Sequence, residues 1–179
     1  MNDQAGAQRK RLSKTSALDP ATGKFKKAQS AFSVAEDLLA QSEEWHRALI
    51  ETASRAGLGI VVWQDTPDRE AAVVFANDEF CRMLGYSREE LFNMLISEYV
   101  RESDLEKSLA TYRRRQQGEN VVSLHEATYV RKDGTLLTAE NSVALMRYQG
   151  KTATVAFVTD ISERKMAEQE LTKHRHQLE

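Results

Sequence analysis

The pattern of apolar and polar positions divides the chain into helical and extended stretches. Between residues 28 and 56, apolar residues recur mostly at three- and four-residue spacing from Phe32 to Ala53, and Gly57 follows them. That spacing predicts an amphipathic helix, which must bury its apolar face on the domain's own sheet or on another helix. A heptad pattern over the same stretch is interrupted at Ser42, so packing on the sheet and pairing as a coiled coil both stay open.

Five stretches rich in strand-favouring residues, mainly Val, Thr and aromatics, predict strands. They cover residues 58–63, 71–75, 121–130, 135–147 and 152–159. The last two are joined by a short loop that contains Gly150, which predicts an antiparallel hairpin. Helices are predicted from the cap at Asn77, from a capping box at Ser87 and Glu90, and over residues 102–117. This order of elements predicts an α+β domain with an antiparallel sheet.

Composition and charge narrow the classes of function. The chain of 179 residues has a net charge of −2, so no global field favours nucleic acid or membrane. The single cysteine, Cys81, excludes an internal disulfide, and no apolar run approaches the ~18 residues that span a bilayer, so we expect a cytoplasmic protein. Residues 1–27 are rich in Lys and Arg and predict a disordered, solvated tail, with binding to nucleic acid or an acidic partner as the alternative.

Three motifs resemble a PAS domain of bacterial signalling proteins. They are FANDEFCRMLGYSREEL from Phe75, RKDGTLL from Arg131 and VTDISERK from Val158, and WHRALIETA extends the match back to Trp45. The resemblance implies a PAS fold: a five-stranded antiparallel sheet with short helices on one face that enclose a pocket, flanked by N-terminal and C-terminal amphipathic helices. It also implies that Asp160, Ile161 and Ser162 couple the last strand to an output helix. The predicted organisation is a tail over 1–27, a helix over 28–56, a PAS core over 57–160 and a signalling helix over 161–179.

Domains that this chain resembles bind two cofactors through a key residue, and in each case this chain has a different residue at the corresponding position. Light-oxygen-voltage domains form an adduct between flavin and a cysteine, and the corresponding position is Ile96, while Val158 stands in place of their glutamine. Cys81 lies on an earlier helix and is interpreted as a small buried hydrophobe. Haem-binding oxygen sensors carry a histidine near the position of Lys107, which offers no free lone pair to iron. The cofactor stays unknown, and a non-covalent flavin or a small organic ligand remains compatible.

Polar and aromatic residues indicate where a ligand pocket would lie. Asn141 shares a strand face with apolar neighbours, and its amide can both donate to and accept from a ligand. The candidate pocket consists of Asn141, His125, Trp63, Tyr99, Met83 and Tyr112. The alternatives are an amide satisfied by nearby backbone, a structural or exposed imidazole at His125, and core packing for Trp63 and Tyr99.

The last helix carries the predicted output. The residues Ala167, Leu171, His174 and Leu178 are spaced by four, three and four, as in a heptad seam, which predicts a homodimer through the flanking helices. We expect Asp160 to be held by a basic group of the sheet, for which Arg131, Lys132 and Arg147 are the candidates.

No catalytic or metal-binding constellation is found in the sequence, and His174 and His176 fall on different helix faces. We therefore predict a non-enzymatic sensory and dimerisation module that regulates a histidine kinase or a cyclic-dinucleotide enzyme. The alternatives are a ligand-free scaffolding module and an adaptor that binds a partner through its basic tail.

Overall fold

The computed structural model describes the backbone of residues 20–177 and the side chains of residues 29–175. Five strands form one antiparallel sheet in the order β2-β1-β5-β4-β3, which confirms the predicted α+β fold. The elements are α1 (Pro20–Arg55), β1 (Leu58–Gln64), β2 (Ala72–Ala76), α2 (Asp78–Leu84), α3 (Arg88–Asn93), a 3₁₀ helix (Ile96–Glu98), α4 (Glu102–Gln116), β3 (Leu124–Val130), β4 (Leu136–Tyr148), β5 (Lys151–Asp160) and α5 (Ser162–Gln177).

Helix α1 crosses the boundary between two compact units, which meet between Arg47 and Ala48. In the first unit every described side chain is exposed, and the apolar residues Phe32 and Trp45 are 67% and 66% exposed. The helix begins at Pro20, eight residues before the predicted start, because proline lacks the N–H that the first turn leaves unpaired. The tail predicted over 1–27 otherwise lies outside the described residues.

In the second unit, one face of the sheet carries the hydrophobic core. Strand residues alternate between faces, so Val61 and Trp63 of β1 and Val158 of β5 point to the same side. Against that side pack fully buried residues of the intervening helices, such as Phe80 of α2 and Leu91 of α3. Helices α2–α4 therefore lie on a single face of the sheet and leave room between themselves and the strands.

The buried side chain of Asn77 joins α1, β1 and α2 through hydrogen bonds. Its Oδ1 accepts from the N–H of Phe80, which caps α2, and from the N–H of Ile60 at 2.7 Å. Its Nδ2 donates to the carbonyl of Leu58 and the hydroxyl of Ser54. The predicted cap is thus present, and the same amide also connects β1 to the last turn of α1.

Two further local predictions can be compared with the structure. The capping box is present, since Ser87 accepts from the N–H of Glu90, whose carboxylate accepts from the N–H of Ser87. The third strand begins at Leu124 rather than at residue 121. The three preceding residues only approach the sheet, where the carbonyl of Ser123 accepts from the N–H of Val143. Among the helices described here, none combines the length and apolar character that a bilayer crossing requires.

Candidate ligand cavity and output junction

A cavity of about 460 Å³ lies between α4, the 3₁₀ helix and the inner face of the sheet. Its floor comes from adjacent strands: Trp63 of β1, Thr154 of β5, and Asn141 and Val143 of β4. Each of these four residues is at most 7% exposed, so the floor is buried. The opposite wall is formed by α4, whose Tyr112 is 5% exposed. A volume of this size lies within the range of roughly 300–1,000 Å³ typical of small-molecule sites.

Two buried hydrogen bonds fix the aromatic part of the floor. Trp63 Nε1 donates to Tyr99 Oη at 2.8 Å, and Tyr129 Oη donates to Asn141 Oδ1 at 3.1 Å. The rings of Tyr99 and Tyr129 stack with centroids 6.4 Å apart. Burial raises the pKa of both tyrosines well above the ordinary value, so both phenols stay protonated at neutral pH.

The α4 side of the cavity is rich in positive charge. Lys107 and Arg115 line it, and His125 of β3 faces the same space. Burial lowers the pKa of His125, and the charges of Arg115 and Lys107 lower it further, so the imidazole is neutral at pH 7. Burial also lowers the pKa of Arg115, although its guanidinium remains charged. The cavity therefore joins an apolar, hydrogen-bonded floor to a cationic wall.

The structure brings four of the six candidate pocket residues together. Trp63, Tyr112, His125 and Asn141 line the cavity. Tyr99 lies behind Trp63 as its hydrogen-bond partner and is fully buried. Met83 packs in the core on α2 with its sulfur beside Gly59, away from the cavity.

Residues that the sequence interpretation did not place in the pocket include Arg115, Tyr129 and Thr154. A signal for Arg115 was present in the sequence, because it follows Tyr112 by three residues and so continues the buried face of α4. An arginine on an apolar helix face is unusual, and only the apolar members of that face had been considered.

At the output junction a single residue separates β5 from α5. Asp160 Oδ1 accepts from the N–H of Ser162 at 2.8 Å, and its Oδ2 accepts from Arg131 at 2.9 Å. Ile161 is 4% exposed, and its N–H donates to the carbonyl of Thr138. Burial alone would raise the pKa of Asp160, but the bonds from Ser162 and Arg131 outweigh it and hold that pKa below its usual value.

Arg131 is thus the one of the three candidate cations that pairs with Asp160. It comes directly after β3, and it also donates to the carbonyl of Met83. Lys132 instead pairs with Glu90, and Arg147 donates to the carbonyl of Gly150 in the adjacent turn. The aspartate therefore connects the start of α5 to the end of β3 and, through Arg131, to α2.

The first turn of α5 has a second attachment on the outer face of the sheet. Glu126 of β3 and Glu140 of β4 are directly opposite each other in the strand register. Lys165 lies 2.6 Å from Glu126, and Arg164 lies 3.6 Å from Glu140. These cations offset the repulsion between the paired carboxylates. Glu126 is also one of the residues that line the cavity, although its carboxylate points to the outer face, where it meets the output helix.

Comparison with known proteins assigns the chain to a family. The family model described as a PAS domain matches residues 57–163, and the chain belongs to that family. The resemblance drawn from the three sequence motifs is therefore confirmed. No protein among those with curated functions matches this sequence significantly.

Solved structures of the same fold include domains of sensor proteins. A sensory box histidine kinase/response regulator from Burkholderia thailandensis is 20% identical, with a TM-score of 0.51, and the match covers 70% of this chain and 93% of that one. A domain of a similar protein from Geobacter sulfurreducens is 22% identical, with a TM-score of 0.52, 68% of this chain and 96% of that chain being covered. An RNA-binding light-oxygen-voltage receptor is 24% identical, with a TM-score of 0.55, and the match covers 72% of this chain and 36% of that one. At these identities the likeness establishes the fold alone.

Proposed function

We propose that this chain is a sensory PAS module whose cavity controls α5 through Asp160, Ile161 and Ser162. In this proposal α5 regulates a histidine kinase or a cyclic-dinucleotide enzyme, in the same or another chain. The observation that carries it is the junction, where the helix starts two residues after Asp160 and both oxygens of that aspartate are bonded. Domains of this family are typically sensory rather than catalytic, which supports a non-enzymatic role.

Strand β5 offers a direct path between the cavity and the junction. Thr154 lines the cavity, and Asp160 ends the same strand six residues later. Asn141, on the neighbouring strand, lines the cavity opposite Val158 in the register. Asp160 ends β5, whereas Arg131 directly follows β3. A ligand that moves β4 or β5 would therefore change the distance between these two side chains. That pairing is the element we expect to respond to the cavity.

A homodimer through the flanking helices is part of the proposal. In α5, Met166 is 57% exposed and Leu171 is 71% exposed, so neither side chain is buried by the described part of the chain. The seam predicted through Ala167 and Leu171 includes Leu178, which lies outside the described residues. A cytoplasmic location is likewise proposed, on the basis of the lone cysteine Cys81, which fits a reducing compartment.

The proposed ligand is a small organic molecule or a non-covalently held flavin. The cavity volume suits the former, and its floor offers both donors and aromatic surface. A scaffolding module with an empty cavity is the competing function. Native mass spectrometry of the purified chain, together with its visible absorption spectrum, distinguishes the two: added mass or colour supports a sensor, and a clean dimer without ligand supports the scaffold.

The coupling is tested by fusing the chain, in helical register after α5, to a histidine kinase of known activity. Arg131→Gln should shift kinase activity away from the level of the unsubstituted fusion, because it removes the charge that holds Asp160. Arg113→Gln is the matched control, since it breaks an ion pair with Glu70 that lies outside both the cavity lining and the junction. Equal activities in all three fusions would contradict the proposed coupling.

A further inference from the structure

The side chain of Arg115 is a buried cation without a matching anion. The residue is only 6% exposed, and its guanidinium donates to the carbonyl of Val122 at 3.0 Å. Within residues 29–175 no carboxylate lies within ion-pair distance of it. A guanidinium has five N–H donors, and burying its charge is costly unless a counter-charge is present. The carbonyl of Val122 engages only one side of the guanidinium, and the remaining N–H groups are open to the cavity, because no fully buried side-chain nitrogen of the described residues lacks a partner.

The two acidic residues that border the cavity are both already paired. Asp104 pairs with Arg101 at 3.0 Å, and Glu126 pairs with Lys165 at 2.6 Å. Lys107 also lines the cavity and forms no ion pair with the described side chains. Lys107, Arg115 and His125 line the same cavity, and the two cations lower the pKa of that imidazole in addition to its burial. The uncompensated charge at the α4 wall is therefore positive.

The floor adds a second donor without a partner. Asn141 is 1% exposed, and its Oδ1 is occupied by Tyr129. Its Nδ2 donates to no group in the described part of the chain, although the residue lines the cavity. No fully buried side-chain nitrogen or oxygen of the described residues lacks a hydrogen-bond partner, so this Nδ2 faces the open space of the cavity, where a ligand oxygen could accept from it. Trp63 and Val143 supply apolar surface beside it.

We infer that the cavity binds a small organic anion, with its charged group at Arg115 and its apolar body against Trp63 and Val143. The inference rests on the proposed function and specifies the ligand class of that site. A carboxylate is the best match, because its two oxygens fit the fork of a guanidinium. Lys107 supplies the attraction at the cavity wall, and Asn141 offers a hydrogen bond to a polar atom on the ligand body.

The test uses Trp63 as the reporter. The chain has two tryptophans, so Trp45→Phe leaves Trp63 as the sole indole fluorophore, and Trp45 is exposed on α1. Into this variant one titrates 3-phenylpropionate and, separately, 3-phenylpropanamide, which has the same shape without the charge. We expect the acid to bind at least about tenfold more tightly than the amide, since a charge-assisted bond exceeds a neutral one by about that factor.

Two substitutions locate the anion. Arg115→Gln should weaken binding of the acid at least about tenfold and leave the amide unchanged, whereas Arg115→Lys should restore part of the affinity. Arg113→Gln is the matched control, because Arg113 is on the same helix but pairs with Glu70 and does not line the cavity. If Arg115→Gln fails to fold, the comparison of acid and amide on the unsubstituted cavity still tests whether the negative charge of the ligand strengthens binding.

Three results would overturn the inference: equal affinity for acid and amide, an Arg115→Gln protein that keeps its affinity for the acid, or no saturable signal with either probe. Binding of the amide alone would refute the anion inference, but it would still be consistent with the proposed function, namely a sensor of a neutral ligand. Failure of the kinase fusions, by contrast, bears on the output junction and not on the charge of the ligand.

Discussion

Replacing Asp160 by alanine should free the start of α5 while the domain stays folded. The substitution removes a hydrogen bond to the N–H of Ser162 and an ion pair with Arg131. A capping bond of this kind contributes about 1 kcal/mol, and a partly exposed ion pair about 0–1 kcal/mol. The side chain of Asp160 is 36% exposed, so the contribution of the ion pair lies toward the lower end of that range. We therefore expect a loss of about 1–2 kcal/mol, against a total of roughly 5–15 kcal/mol for a typical domain.

Stability and local opening are measured separately for this variant. Urea unfolding should give the loss of free energy with an unchanged dependence on urea concentration. Hydrogen exchange should accelerate at the first turn of α5, where the N–H of Lys165 donates to the carbonyl of Ile161, and not in β1 or β5. The folded-state pKa of Asp160 is lowered, so its contribution is present above the ordinary value of 3.8 and is lost as the pH falls through the folded-state value. The difference between the two proteins should therefore disappear in acid.

Two control variants separate the contributions. Asp160→Asn keeps an oxygen for the N–H of Ser162 but loses the charge, so it should retain the slow exchange of α5 and lose only the pairing with Arg131. Asp78→Ala breaks a surface ion pair with Arg88 far along the chain and should leave exchange in α5 unchanged. Global unfolding of Asp160→Ala would mean that the residue is structural, and unchanged exchange in α5 would refute its role as the anchor.

Three other outcomes follow from single contacts. Asn77→Ala should lower the free energy of unfolding by roughly 2–4 kcal/mol, because buried N–H groups of β1 and α2 lose their acceptor; urea unfolding measures it, and a loss below 1 kcal/mol would contradict it. Gly59→Ala should cost roughly 1–3 kcal/mol by calorimetry, since the added Cβ would meet the sulfur of Met83 at 3.2 Å and a backbone oxygen at 3.3 Å; an unchanged melting temperature would show that the sheet yields. Because the pKa of His125 is lowered in the folded protein, unfolded chains bind more protons below pH 6.5, so stability should fall from pH 7 to pH 5.5; His125→Gln should flatten that slope, and an identical slope would assign it to other groups.

Local chemistry was sufficient to predict most of the fold. The cap at Asn77 and the capping box at Ser87 depend on side chains that bond to backbone within three residues, so the sequence alone specifies them. The start of β3 could not be found in this way. That strand lies at the edge of the sheet, where one partner, β4, determines how far the pairing extends. The early start of α1 at Pro20 was missed because its basic composition resembled a tail.

The site depends on contacts that sequence spacing does not encode. Asp160 could be assigned a basic partner, but the choice of Arg131 over Lys132 or Arg147 follows from where β3 ends beside β4. Similarly, Tyr99 and Trp63 were grouped as pocket candidates, and only the packed structure shows that the phenol of one supports the indole of the other. Long-range register decides both cases.

The pairing of Leu58 with Thr159 places the beginning of β1 beside the end of β5. The polypeptide therefore enters and leaves the sheet at neighbouring points, with Leu58 three residues after α1 ends and Thr159 three residues before α5 begins. Neighbouring chain ends of this kind are typical of domains that tolerate insertion into a longer protein.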